Sequence, residues 1–106
     1  MSIDVLSISA KNFELTEAIY NTAVESMNKV LTHDKDITAL DVTLEEKTAQ
    51  KIPSFEARAN LSLHGKHYHV EDKSENLYTS IHGLADKLLR DVRREHRKFQ
   101  HDRKHA

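Results

Sequence analysis

Apolar residues along this chain first alternate with polar ones, then recur at helical spacing, alternate through three more segments, and return to helical spacing. Leu6 and Ile8 alternate with Ser7 and Ser9, which predicts a short strand with one buried face. Ile19, Tyr20, Ala23, Met27, Val30 and Leu31 then trace one stripe of a helix. Thr16 fits its N-cap, Glu17 suits the positive helix end, and Leu15 is placed to pack on Tyr20 as a hydrophobic staple. The helix is expected to end near Thr32-His33-Asp34. Leu40, Val42 and Leu44 alternate with Asp41, Thr43 and Glu45 as a second strand, and Lys47 to Pro53 reads as a polar loop closed by proline. Phe55, Ala57, Ala59, Leu61 and Leu63 give the clearest strand pattern. His64-Gly65-Lys66 is a tight turn, with glycine supplying the unusual backbone angle. Tyr68 and Val70 point inward on a fourth strand, His67 and His69 outward. Asp72 to Asn76 reads as a turn. Leu77, Ile81, Leu84, Leu88, Val92 and Phe99 predict a long amphipathic helix over residues 75–100. Gly83 inside it costs ~1 kcal/mol relative to alanine, and a small residue there suits close helix packing.

The order is β-α-β-β-β-α, and every strand has one polar and one apolar face. This predicts an α+β fold: a four-stranded, mostly antiparallel sheet with both helices packed on its apolar face and the other face wet. A chain of 106 residues is one domain. The expected domain is residues 1–101, with 102–106 a frayed polar tail.

Composition removes several function classes. There is no cysteine, hence no disulfide, thiolate metal site or cysteine nucleophile. Met1-Ser2-Ile3-Asp4 lacks the features of a signal peptide, and no apolar run nears the ~18 residues of a membrane span. The expectation is a soluble, cytoplasmic protein with no membrane partner. Charge alters the picture more. The net charge is −1, yet residues 86–106 hold 8 Lys/Arg against 4 Asp/Glu, and residues 1–85 hold 8 against 13. A basic end sits on an acidic body, and a local basic field attracts polyanions.

Beside the apolar stripe of the last helix, one sector holds Lys87, Arg90, Arg94, Lys98 and His101, and Arg93 and Arg97 extend it around the outer face. Local pairs from Asp86 to Arg90, Asp91 to Arg94 and Glu95 to Lys98 would each contribute only about 0.3–0.5 kcal/mol, so a phosphate displaces them at small cost. Lys87, Arg93 and Arg97 have less obvious local partners. The wet sheet face lacks paired aromatics for base stacking, and no glycine-rich phosphate loop exists. Any RNA would be recognised by shape and phosphate, with arginine supplying bidentate contacts. His64, His67 and His69 cluster in sequence and are weak metal candidates, with no third ligand type and no second shell to support them. No cofactor, small-molecule substrate or catalytic constellation is read, and an enzyme is not expected.

The chain resembles the short ribosome hibernation promoting factors, relatives of the ribosome-associated inhibitor protein Y. The resemblance spans nearly the whole domain. It rests on Leu6-Ser7-Ile8-Ser9, on Phe13-Glu14-Leu15-Thr16-Glu17-Ala18-Ile19, on Phe55 through Gly65, and most on Asn76-Leu77-Tyr78-Thr79-Ser80-Ile81 followed by Asp86-Lys87-Leu88-Leu89-Arg90. It implies a fold like that of double-stranded-RNA-binding domains. It also implies binding to 16S-type RNA of the small ribosomal subunit, in the channel used by messenger and transfer RNA, and hence silenced translation in stationary phase or stress. Lys87 and Arg90 carry over from the second-helix motif, and Arg93, Arg94, Arg97 and Lys98 lie on its basic continuation. Tyr78 matches the motif tyrosine and is assigned to packing. The first helix of the family tends to be basic too, whereas here it offers Lys29 with Glu17 and Glu25 nearby. Neither the C-terminal dimerisation domain of the long factors nor the acidic tail of protein Y is read after the last helix. The expectation is therefore the short factor, monomeric off the ribosome, acting with a separate ribosome modulation factor on dimeric ribosomes. The rival reading is a general RNA-binding or protein-interaction module without ribosome specificity.

Overall fold

The alternating segments pair into one mixed sheet, and both periodic segments lie on the same side of it. The computed structural model describes the backbone of residues 5–49 and 51–104 and the side chains of 5–48 and 51–98. The order is β1 (Leu6–Lys11), α1 (Glu17–Leu31), β2 (Ile37–Ala49), β3 (Ile52–Leu63), β4 (Lys66–Ser74) and α2 (Leu77–Lys104). The strands lie in the order β1-β2-β3-β4. The α1 crossover returns the chain to the same sheet end, so β1 and β2 run parallel, while the β2–β3 and β3–β4 hairpins are antiparallel. The predicted α+β architecture is the observed one.

Local signals place the helix ends. The Thr16 hydroxyl accepts from the Ile19 amide at 3.3 Å, and Asn76 Oδ1 accepts from the Thr79 amide at 3.2 Å. The α1 stripe is narrower than its sequence suggests: Ala23, Ser26, Met27 and Val30 are buried, but Tyr20 is 41 % exposed. Leu77, Ile81, Leu84, Leu88 and Val92 of α2 meet Leu40, Val42 and Leu44 of β2, Leu61 and Leu63 of β3, and Val70 of β4 in one core. Ala57 and Ala59 on the central strand β3 are buried in the same core.

Two expected loops are strand. Lys47, Thr48 and Ala49 pair with Ser54, Pro53 and Ile52, so β2 and β3 form a hairpin longer than either neighbouring strand. Pro53 is tolerated because β4 pairing begins only at Phe55, and Lys51, at φ 68°, turns the chain. Asp72, Lys73 and Ser74 likewise complete β4, which leaves Glu75 and Asn76 to turn into α2. In the β3–β4 turn both His64 (φ 53°) and Gly65 (φ 76°) are left-handed, as a two-residue type I′ hairpin requires. Gly83 faces β4 rather than another helix. A Cβ there would overlap the Asp72 carboxylate.

The face away from the helices is polar, as expected. Ser62 and His67 (2.9 Å) and Asn60 and His69 (2.9 Å) pair across β3 and β4. Arg58 holds Glu45 at 3.0 Å and Glu56 at 2.8 Å. Burial is a smaller influence on Glu56 than the Lys47 hydrogen bond, and with Arg58 this holds its carboxyl below the usual range.

Candidate nucleic-acid interface

Helix α2 has 28 residues, about 42 Å at 1.5 Å per residue. Leu84, Leu88 and Val92 fix its buried side. Helical geometry therefore turns Arg90, Arg93 and Arg97 to the far side and Arg94 and Lys98 to one flank, and all five are exposed. Arg90, Arg93 and Arg97, with Asp86 and Leu89, line a shallow recess of about 510 Å³. Among the described residues Arg90, Arg93, Arg97 and Lys98 make no ion pair. Arg94 lies 3.9 Å from Asp91, as the spacing predicted. The expected Asp86–Arg90 pair is not formed.

Lys87 differs from its neighbours. Its Nζ lies 3.0 Å from Asp72 Oδ1 and donates to the Glu71 carbonyl at 2.8 Å, so it ties α2 to β4. The lysine that lacked a local partner in sequence has a distant one. Lys29 is exposed in the last turn of α1. The His33 and His96 rings, 6.0 Å apart, bring that end of α1 beside the C-terminal half of α2. Phe99 and His101 lie outside the described side chains.

Glu95 is the main departure on α2. It was expected to pair outward with Lys98, but it is buried, 5 % exposed. Tyr68 donates its hydroxyl to Glu95 Oε2 at 2.7 Å, and Lys66 Nζ lies 3.2 Å from Oε1. Burial opposes ionisation of Glu95, but the Tyr68, Lys66 and His64 contacts outweigh it and hold the carboxyl below its usual range. Burial, then the bond to Glu95, pushes the Tyr68 phenol up to about 12. Turning Glu95 inward removes one negative charge from the outer face. The basic row is thus more continuous than its sequence.

The three candidate histidines are not brought together. His67 and His69 stay on the wet face, and His69 also reaches Glu71 at 3.2 Å. The left-handed backbone at His64 ends the strand alternation and turns its ring to the helix side, where the side chain is 5 % exposed. There it faces Asp34 at 3.2 Å, Asp36 at 3.5 Å and Glu95 at 3.6 Å. Asp34, desolvated but bonded by the Asp36 amide and by His96, is held below the usual carboxylate range. Sequence reasoning missed Asp34, Tyr68 and Glu95 as members of this cluster. The available signal was Glu95 itself, three residues after Val92 and seven after Leu88, on the apolar stripe.

Fold and surface together define an α+β domain that presents one long basic helical face. Residues 6–100 match the family described as Sigma 54 modulation protein / S30EA ribosomal protein, and the chain belongs to that family. It is 29 % identical over 96 residues to a ribosome hibernation promoting factor of Pseudomonas putida, covering 90 % of this chain and 89 % of that one. The corresponding factor of Salmonella typhimurium is 27 % identical over 95 residues, 90 % of this chain and 96 % of that protein. Among solved structures, the fold is similar to a ribosomal subunit interface protein from Coxiella burnetii (TM-score 0.73, 13 % identity, 85 % of this chain and 94 % of that one). It is also similar to the N-terminal domain of Thermus thermophilus Protein Y (TM-score 0.67, 24 % identity, 83 % and 93 %).

Proposed function

We propose that this protein is a ribosome hibernation factor of the short type. It binds 16S-type RNA of the small subunit in the messenger and transfer RNA channel, silences translation, and favours inactive dimeric ribosomes together with a separate modulation factor. The observation that carries this reading is the exposed row of Arg90, Arg93, Arg94, Arg97 and Lys98 around the outer side and flank of α2, in a chain of this family. Arginine predominates there, and its planar fork suits bidentate phosphate contact. Lys29, exposed in the last turn of α1, is assigned to the same RNA-binding set. The protein acts by occupancy and not by chemistry, as a monomer in the cytoplasm.

Co-sedimentation with small subunits tests the reading. Vacant subunits carry the protein down in low salt and release it as salt rises, because phosphate contacts displace counterions. Subunits already holding messenger and initiator transfer RNA do not carry it. Equal binding to vacant and occupied subunits would overturn the channel assignment, and no binding at low salt would overturn the ribosomal one.

A further inference from the structure

The buried polar cluster below the sheet end takes no part in the basic face. Asp34, 4 % exposed, accepts the Asp36 amide on Oδ1 at 2.8 Å, which leaves Oδ2 turned toward two imidazoles. His64 Nε2 lies 3.2 Å from that oxygen and 3.5 Å from Asp36 Oδ2, and His96 Nδ1 lies 3.0 Å from Asp34 Oδ2. On the opposite side of the His64 ring, Nδ1 faces Glu95 Oε1 at 3.6 Å.

This ring has carboxylates at both nitrogens. A neutral imidazole has one N–H and one lone pair, so one nitrogen would direct its lone pair at a carboxylate. A metal ion bound on one side would take up that lone pair. The Nε2 side carries two carboxylates, Asp34 and Asp36. The side-chain donor atoms of Asp34, Asp36 and His64 all lie within 4.8 Å of one another. Tetrahedral zinc, with bonds of roughly 2.0–2.2 Å, sets neighbouring ligand atoms about 3.3–3.6 Å apart. The two edges measured from Nε2 are 3.2 and 3.5 Å.

We propose that Asp34, Asp36 and His64 form a site for a divalent cation of the zinc class, with water in the fourth position. His64 is more than nine-tenths buried and aims Nε2 at both carboxylates, while Asp36 is half-exposed and opens the site to solvent. Glu95 orients the imidazole from behind, the usual role of a carboxylate behind a metal-bound histidine. A mixed nitrogen and oxygen set without thiolate suits zinc better than magnesium, which prefers oxygen and retains several waters. The ion would join the α1–β2 loop to the β3–β4 turn beside the C-terminal half of α2. The site stands on its own geometry, independent of the ribosomal reading.

The test titrates Zn²⁺ into the untagged, metal-stripped full chain by calorimetry at about pH 7.5, with thermal melts alongside. One ion binds per chain and raises Tm, while Mg²⁺ does neither. Asp36→Asn and His64→Gln each weaken binding at least about 10-fold, and Glu95→Gln by about 10–100-fold. The double variant His67→Gln/His69→Gln binds as the parent does. Asp36→Asn alters a half-exposed side chain, so it decides the matter even if His64→Gln does not fold. Absence of binding overturns the proposal, as does binding that survives Asp36→Asn or is lost in the His67/His69 variant.

Discussion

Gly83 shows how one missing side chain depends on a partner far away in sequence. Its helix position favours alanine by ~1 kcal/mol. The Asp72 carboxylate occupies the space a Cβ would take, and Lys87 holds that carboxylate in place at 3.0 Å. Gly83→Ala is therefore destabilising in the parent chain, by about 1–2 kcal/mol, the scale of overpacking. Once Asp72→Ala removes the obstruction, the same substitution is stabilising by up to ~1 kcal/mol. Denaturant melts of the four-member cycle measure the change of sign, and Gly83→Ala costing the same in both backgrounds would refute the assigned contact. Glu95 is a second case. A charged residue on an apolar stripe is stable only when other elements bring donors to it, and here β4 supplies Tyr68 and the hairpin turn supplies Lys66.

The elements differ in how openly the sequence declares them. Leu40 to Leu44, Phe55 to Leu63 and Leu77 to Val92 were legible because burial on one face imposes a period on them. The hairpin arm from Lys47 to Ser54 was not, since it projects past β1 and β4, none of its described side chains is buried, and so it shows no alternation. The parallel pairing of β1 was hidden too, because it follows from the α1 crossover and not from any residue of β1. The basic face of α2 was legible as a set of residues, but not which of them are engaged. Lys87 serves β4, whereas Arg90, Arg93 and Arg97 are exposed around one recess. Replacing these three arginines by alanine leaves the melting curve nearly unchanged. It weakens subunit binding and lowers the slope of log affinity against log salt by about one unit per arginine that meets a phosphate. Lys87→Ala does the reverse, costing stability more than slope. Filter-binding across a salt series separates the two, and equal slopes for the triple variant and the parent would move the interface off α2.

At the scale of the molecule, two carboxylates are buried among the described residues while the cations on the outer side of α2 are exposed. The outer side of α2 is cationic, while Asp34 and Glu95 carry negative charge into the interior and Glu56 carries it onto the partly covered sheet face. All three carboxyls are held below their ordinary values of 3.8 for Asp34 and 4.5 for the two glutamates. A carboxyl whose folded pKa is depressed contributes stability that is present above its unfolded value and lost as pH falls through the folded one. The fold is therefore expected to keep its stability from neutral pH down to about 4.5 and to lose it progressively below, by at most about 1.4 kcal/mol per pH unit for each group. Glu95→Gln is less stable at pH 7, since Tyr68 and Lys66 lose a charged acceptor, but its stability falls less steeply in acid. Urea melts between pH 7 and pH 3 record both slopes. If the parent and Glu95→Gln fall in parallel, the buried Tyr68–Glu95–Lys66 contacts carry no charge-dependent stability, and the hold of β4 on the basic helix must come from apolar packing and the Lys87 contacts to Asp72 and Glu71.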